Sequence, residues 1–241
     1  MIHGVFDLHV HTIYSDGAFS PKKAVEVAKA LGIGISITDH NEIRGSIKGF
    51  EAAKGEKFIF GIEVGTKEGK EILFYFDRAE VLEEFFKKEV EPYRTQRMTR
   101  VARSIERYID EEMGQYDILF TTLPHPYGPF KKSVEYNRAL SEKILDFVDA
   151  IEVYNSTQNS VANKKAVRLA KMNKKFGIAA SDAHVAEDIA KGLSYIEVEG
   201  RTLTKTNVVR TDSFNIQSAI KTLGVIGYHN FHYSVLGGRY A

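Results

Sequence analysis

The stretch Asp7-Leu8-His9-Val10-His11-Thr12 comes at the end of a predicted β-strand, Val5–Val10. Side chains two residues apart on a strand point to the same face, so His9 and His11 are predicted to converge, with Asp7 one step deeper. A lone His-x-His pair is most often a chance arrangement, but this one runs into the turn Ser15-Asp16-Gly17, which adds a carboxylate. The stretch therefore favours a metal site at the end of the first strand.

Polar residues follow the predicted strands in the same way further along the chain. Apolar runs end in Asp39-His40, in Glu63, in His125 and in Asp182-Ala183-His184. In parallel α/β sheets, ligands bind at the carboxyl ends of the strands. Taken singly, each residue is as consistent with a loop side chain that faces water as with a metal ligand. Together they predict one shared site. Imidazole and carboxylate ligands without thiolates suit Zn²⁺, Mn²⁺ or Fe²⁺, and their number leads us to expect two or three divalent ions.

Short apolar runs rich in β-formers alternate with amphipathic stretches along the chain. Strands are predicted at Val5–Val10, Ile33–Thr38, Lys57–Val64, Glu71–Phe76, Asp117–Thr122, Ala150–Tyr154, Phe176–Ser181, Leu193–Val198 and Asn207–Val209. Helices are predicted at Pro21–Leu31, Glu80–Glu89, Pro92–Met113, Ser141–Phe147, Val161–Asn173 and Phe214–Leu223. The alternation predicts one α/β domain over residues 1–241, with a mainly parallel sheet and helical crossovers.

The composition excludes several classes of protein. The 33 basic and 32 acidic residues give a formal net charge of +1, which argues against a broad nucleic-acid-binding face. Cysteine is absent, so thiol nucleophiles and thiolate zinc sites are excluded. No apolar run approaches the ~20 residues that a membrane helix needs. The N-terminus also lacks the pattern of a signal peptide, so we expect a soluble, cytoplasmic protein with no membrane partner.

The ordered motifs of this chain resemble those of the PHP family, named for polymerase and histidinol phosphatase. They are D-L-H-V-H-T (7–12), S-D-G (15–17), I-T-D-H-N (37–41), G-I-E-V (61–64), P-H-P (124–126), I-E-V-Y-N (151–155) and A-S-D-A-H (180–184). The resemblance covers about residues 5–190. It implies a distorted (β/α)7 TIM-like barrel with up to three metal ions at the strand ends, and leaves residues 200–241 to complete the barrel.

The resemblance also implies roles for individual residues. The first ion would be held by His9, His11, Glu63 and Asp182, the second by Glu63 and His125, and the third by Asp16, His40 and His184. Glu63, Asp16 and His184 are the candidate catalytic residues. Asp7 and Asp39 are expected to orient imidazole rings.

One departure from the family pattern falls at the second ion. Many members have a further histidine in the strand after the glutamate motif, and here Glu71 occupies about that position. Glu71 would either replace this histidine or be an exposed residue at the start of a strand. Glu152 is a further possible ligand, and Asn155 a possible substrate-binding residue, although both are equally consistent with a role in closing the barrel. Arg44, in the loop after His40, is a candidate for binding phosphate.

Three functions remain open from the sequence. The first is hydrolysis of a small phosphomonoester by water activated at the metal centre. The second is a nuclease or polymerase-associated domain, so nucleic acid is a possible partner but not the favoured one. The third is a non-catalytic metal-binding scaffold. His229 and His232 match no motif and are expected to be structural or surface residues.

Overall fold

The computed structural model describes residues 1–212 and 216–235. These residues contain one sheet of nine strands: Ile2–Asp7 (β1), Gly34–Ile37 (β2), Phe58–Gly65 (β3), Glu71–Phe76 (β4), Phe120–Leu123 (β5), Ala150–Asn155 (β6), Phe176–Ala180 (β7), Gly192–Glu199 (β8) and Thr202–Thr211 (β9). Their order in the sheet is β7-β6-β5-β4-β3-β2-β1-β8-β9. Each predicted strand has a counterpart in this sheet, with ends shifted by a few residues.

The α-helices within the described residues are Pro21–Ala30 (α1), Arg44–Ala53 (α2), Ala79–Phe85 (α3), Arg138–Phe147 (α4), Ser160–Met172 (α5) and Ile216–Val235 (α6). Helix α1 begins where the sequence predicts, because the Ser20 side chain accepts a hydrogen bond from Lys23 N and Pro21 occupies the first turn. Helix α2 was not predicted. The predicted helix from Phe214 to Leu223 begins outside the described residues, and α6 extends well beyond its predicted end.

The sheet curls into a nearly closed barrel. An isolated parallel bridge joins Val10, just after β1, to Ala183, just after β7. On the other side of β1, the Ser194 hydroxyl of β8 bonds to both the N–H and the carbonyl of Ala179 in β7. One backbone bridge and the bonds of the Ser194 side chain thus close the barrel, which confirms the predicted TIM-like barrel in its distorted form.

The expectation of a mainly parallel sheet is wrong, because half of the strand pairings are antiparallel. Strand β3 turns directly into β4 through a short turn in which Thr66 N donates to Lys70 O. A hairpin of this kind reverses the chain, whereas a parallel neighbour needs a crossover of a dozen or more residues. Strand β4 therefore runs opposite to both of its neighbours, β3 and β5.

The predicted helix from Pro92 to Met113 is also wrong. The chain there is irregular, with short 3₁₀ turns, although the apolar residues Met98, Val101 and Ile105 are buried as their spacing suggested. Val101 N donates to the carbonyl of Gly65, at the end of β3, so the segment satisfies its backbone against the sheet instead of in a helix. A helical spacing of apolar residues does not by itself distinguish these two solutions.

The strand faces that fill the barrel with apolar side chains also carry polar residues toward one end. On β3, Ile59 is in the apolar core and Glu63 lies four residues later, on the same face. On β6, Ala150 is in the apolar core, and Glu152 lies two residues later, on the same face. The apolar cluster thus packs directly beneath the polar end of the barrel.

Candidate metal centre

The candidate ligands come from loops and strand ends at this one end of the barrel. His9, His11 and Asp16 follow β1, His40 follows β2, Glu63 lies near the end of β3, His125 follows β5, and Asp182 and His184 follow β7. Glu71 is the first residue of β4, and the antiparallel pairing of Gly65 with Glu71 brings it to the same edge. All of these side chains are buried.

Three overlapping groups have ligand atoms within 4.8 Å of one another. We name them the Asp16 cluster (His11, Asp16, His40, His184), the Asp182 cluster (His9, His11, Asp182) and the Glu71 cluster (His40, Glu63, Glu71). The eight residues predicted as ligands thus come together at one place, with His125 beside the Glu71 cluster. His125 Nε2 lies 3.2 Å from Glu63 Oε1 and 3.5 Å from Glu71 Oε2.

Glu63 lies at the centre of the arrangement. Its Oε2 atom is 2.7 Å from His40 Nδ1, 3.5 Å from His11 Nε2 and 3.6 Å from His9 Nε2. Its carboxylate therefore reaches residues of all three clusters, as a group shared between ions would.

The buried atoms of the centre fit divalent cations. Asp16 Oδ1, His40 Nδ1, Glu63 Oε2 and His184 Nε2 make no hydrogen bond within the described part of the chain. Several of them nevertheless lie close together, such as His184 Nε2 and Asp16 Oδ1 at 3.3 Å. Buried polar atoms without partners are costly, and a cation between them would satisfy them. The imidazole and carboxylate donors suit Zn²⁺, Mn²⁺ or Fe²⁺.

The electrostatics of the centre depend on the balance between burial and neighbouring charges. Burial disfavours protonated His40, but Glu63 and Asp16 outweigh this effect and raise its pKa to about 9. Burial and the neighbouring His184 and His40 lower the pKa of His11 to about 3. Without metal ions, protons on some of the imidazoles therefore balance the carboxylates.

Glu152 orients the ligands rather than lying among them. Its Oε1 is 2.8 Å from His9 Nδ1, and its Oε2 accepts hydrogen bonds from His125 N at 2.7 Å and Asn155 Nδ2 at 2.9 Å. Asn155 also donates to Asp182 Oδ2 at 3.2 Å. Both residues are fully buried and neither is among the residues that line the pocket, so Asn155 positions a carboxylate.

The two aspartates that were expected to orient imidazole rings accept hydrogen bonds from backbone N–H groups instead. Asp39 accepts hydrogen bonds from Thr12 N at 2.7 Å and from the Ser15 hydroxyl at 2.6 Å, and Ser15 in turn lies 3.3 Å from His11 Nδ1. Asp7 accepts from the N–H groups of Ser181 and Ala190, on the segment that carries Asp182 and His184. Asp39 thus reaches an imidazole only through Ser15, and Asp7 shapes the loop.

A pocket of about 460 Å³ opens onto the centre, and Lys132 and Lys191 are among its lining residues. Helix α6 covers one side through Thr222, Leu223 and Ile226. Neither lysine was predicted from the sequence. The only signal for Lys132 is a pair of basic residues shortly after the Pro-His-Pro motif. His229 and His232 lie on α6 and belong to none of the three clusters.

Arg44 lies elsewhere. It is the first residue of α2, bonds to Glu42 Oε2 at 2.9 Å and lines a separate groove together with Lys48. The sequence suggested a loop cation beside the centre, but the helix turns this side chain toward another surface.

Comparison with known proteins yields several similar chains, and three of them bear on the class of this protein. An uncharacterized protein of Methanocaldococcus jannaschii is 33% identical over 182 residues, which span 67% of this chain and 91% of that protein. A candidate metal-dependent phosphoesterase of Bifidobacterium adolescentis has a similar structure, with a TM-score of 0.57 at 16% identity, covering 91% of this chain and 96% of that one. The lesion-specific endonuclease EndoQ of Pyrococcus furiosus gives a TM-score of 0.64 at 18% identity, covering 86% of this chain and 58% of that one. At these identities the two structures show a shared fold.

The barrel carries a buried His and carboxylate centre of the kind that binds divalent metal ions, and chains of the same fold include candidate metal-dependent phosphoesterases. The sequence pattern of the PHP domain matches residues 7–178, and a second pattern, described as PHP-associated, matches residues 161–211. The chain belongs to the PHP domain family, as the motifs predicted. Among the described helices, none is long and apolar enough to cross a membrane.

Proposed function

We propose that this protein hydrolyses small phosphomonoesters at a centre of divalent metal ions. The observation that carries the proposal is the convergence of the three clusters at the bottom of one pocket whose lining also contains lysines. A phosphomonoester is a compact dianion, and such a pocket offers it cations at close range.

The residues that would hold the ions are drawn from the three clusters. When bound, divalent ions lower the pKa of water toward neutrality and neutralise charge on a phosphoryl group. Glu63 is placed to serve two ions at once, and Asp16 and His184 both line the pocket, where a reacting phosphate would lie. No serine or cysteine nucleophile is required.

Residues of the chain also position the substrate and restrict its size. Lys132 and Lys191 line the pocket and would contact a phosphate group, although each also pairs with a carboxylate, Glu71 and Asp188 respectively. Helix α6 encloses one side of the pocket, whose volume is within the range of about 300–1,000 Å³ typical of small-molecule sites. This enclosure supports a small substrate.

A second candidate is cleavage of nucleic acid, and a specific surface favours it. Lys67, Arg97 and Arg100 line a groove, and Thr99, between these two arginines in sequence, lines the metal pocket. A basic track next to a catalytic centre could bind the backbone of a polyanion. The net charge of +1 leaves little positive charge for a longer track.

The test compares purified, metal-loaded protein on a panel of small phosphomonoesters and on single-stranded DNA. We expect hydrolysis of monoesters that depends on Mn²⁺ or Zn²⁺ and stops on chelation, with much weaker action on DNA. The double variant Arg97→Ala/Arg100→Ala should retain monoester hydrolysis. Cleavage of DNA with no action on monoesters, lost in the double variant, would replace the proposal with the second candidate. Loaded protein inert on both substrates would reject both.

A further inference from the structure

Lys132 and Glu71 form an ion pair at the edge of the candidate metal centre. Lys132 ends a short turn, Phe130–Lys132, that follows β5, and its Nζ lies 2.8 Å from Glu71 Oε2. The same oxygen is 3.5 Å from His125 Nε2. The ammonium group therefore lies beside the atoms expected to hold the second ion.

The loop that carries Lys132 is anchored by the residue next to Glu71. The Lys70 side chain is almost completely buried, and its Nζ donates to the carbonyl of Tyr136 at 2.7 Å and to the Ser141 hydroxyl at 3.1 Å. Two consecutive residues, Lys70 and Glu71, thus bind the segment after β5, and Lys70 also donates to the carbonyl of Ser133, next to Lys132. This anchoring holds the Lys132 ammonium in place instead of leaving it to move freely in solvent.

The three clusters differ in whether a protein cation contacts them. Within the described residues, the ion pairs that involve the Asp16 and Asp182 clusters come from histidines, whereas the Glu71 cluster also has Lys132. An ammonium group carries one positive charge and donates hydrogen bonds to carboxylates, so it can replace part of the charge of an ion but cannot activate water.

The buried carboxylates that contact the candidate imidazole ligands match the charge of two ions and the Lys132 ammonium. They are Asp16, Glu63, Glu71, Glu152 and Asp182, whereas Asp7 and Asp39, which are also buried, accept hydrogen bonds from N–H and hydroxyl groups of the loops. Their five negative charges equal those of two divalent ions together with the Lys132 ammonium. A third divalent ion would add two positive charges to those that these five carboxylates already balance, which is costly in a low-dielectric site.

We propose that the Lys132 ammonium takes the place of a divalent ion in the Glu71 cluster, so that the protein binds two divalent ions where the family pattern suggests up to three. This inference rests on the proposed metal centre. It also gives a role to Glu71, which stands where many members have a histidine and which pairs here with Lys132. The two ions then occupy the Asp16 and Asp182 clusters, with Glu63 between them.

The test is the number of ions bound per chain, measured by native mass spectrometry and elemental analysis during titration with Mn²⁺ or Zn²⁺. The wild-type chain should bind two. Lys132→Met keeps the length of the side chain and removes the charge, so this variant should bind a third ion. The matched control is Lys131→Met, which removes the neighbouring exposed lysine and should leave the number at two.

A double variant tests whether the third ion enters the Glu71 cluster. Glu71→Gln combined with Lys132→Met removes the carboxylate that the third ion needs, so it should bind two ions again. Three ions in the wild-type chain, or two in Lys132→Met at saturating metal, would overturn the inference. Either result would leave the proposed metal centre standing, whereas a wild-type chain that binds no ions would reject the centre itself.

Discussion

Glu63 is the single residue on which the centre depends most. It lies near the end of β3, fully buried, with its two carboxylate oxygens facing different histidines. One oxygen is 3.2 Å from His125 and the other 2.7 Å from His40. Loss of its charge would therefore affect ligands from two sides of the barrel.

We expect Glu63→Gln to lower kcat/KM for a phosphomonoester by at least ~100-fold, the order found when one preorganised electrostatic group is removed. The amide keeps the size of the side chain but cannot supply charge to two ions, so the bound metal should fall as well. Kinetics and elemental analysis measure the two effects. Glu56→Gln, an exposed change of the same kind, is the control, and an active Glu63 variant with full metal content would refute this role.

Glu152 fixes the orientation of candidate ligands without lying among them, so its loss should weaken metal binding and not abolish it. A residue that fixes a metal-binding imidazole typically contributes 10- to 100-fold to metal affinity. Glu152→Gln would present an N–H group to at least one of its donors, either His9 or the backbone of His125. We expect metal affinity to fall by about 10- to 100-fold, measured by calorimetry, with the fold retained by circular dichroism. Unchanged affinity would mean that the imidazole of His9 is fixed without Glu152.

At the scale of elements, helix α2 packs its first turn against the residues that hold the loop after β1. A Cβ atom built on Gly45 would lie 1.8 Å from Asp39 Oδ2 and 2.8 Å from Thr12 Oγ1. The absence of a side chain at Gly45 therefore lets Asp39 hold Thr12 and Ser15. The helix thus affects the metal centre without contributing a ligand.

Gly45→Ala should destabilise the protein by about 1–3 kcal/mol, the usual cost of overpacking, and should weaken metal binding because Asp39 must move. Gly224→Ala, on the exposed side of α6, meets no atom within 4 Å. Since alanine favours helix over glycine, that variant should be about 0.5–1 kcal/mol more stable. Denaturant unfolding of both variants checks the contrast, and equal effects would show that the contact with Asp39 does not matter.

At the scale of the whole molecule, metal binding should be linked to protons. In the absence of ions, Glu63 and Asp16 raise the pKa of His40 to about 9, against the effect of burial. The imidazole is thus largely protonated at pH 8 and must lose its proton before it can bind a cation. A histidine with an ordinary pKa near 6.5 would be neutral at that pH.

We therefore expect metal binding at pH 8 to release protons, and the apparent affinity to rise as pH increases toward 9. Lowering the pH favours the protonated imidazole and should weaken binding. Calorimetric titrations in two buffers of different ionisation enthalpy give the number of protons released. Heats that do not depend on the buffer at pH 8 would contradict a raised pKa of His40.

The sequence determined which residues could form the centre. Strands that end in His, Asp or Glu place those side chains at one edge when the strands are parallel, so His40, His125 and Asp182 could be assigned from local pattern alone. The family pattern added the barrel. The helix predicted at 92–113 shows where local pattern fails. The spacing of apolar residues indicates which of them are buried, but not which other segment of the chain buries them.

Only the tertiary structure decided what depends on contacts between residues far apart in the chain. The reversal of β4 brings Glu71 to the ligand edge, and the loop after β5 brings Lys132 against it. Glu152 faces His9 across a separation of 143 residues. Charge and hydrogen-bond partners at such distances are set by how the strands close into a barrel, and no periodicity in the sequence encodes that closure, because its energy arises from packing between segments.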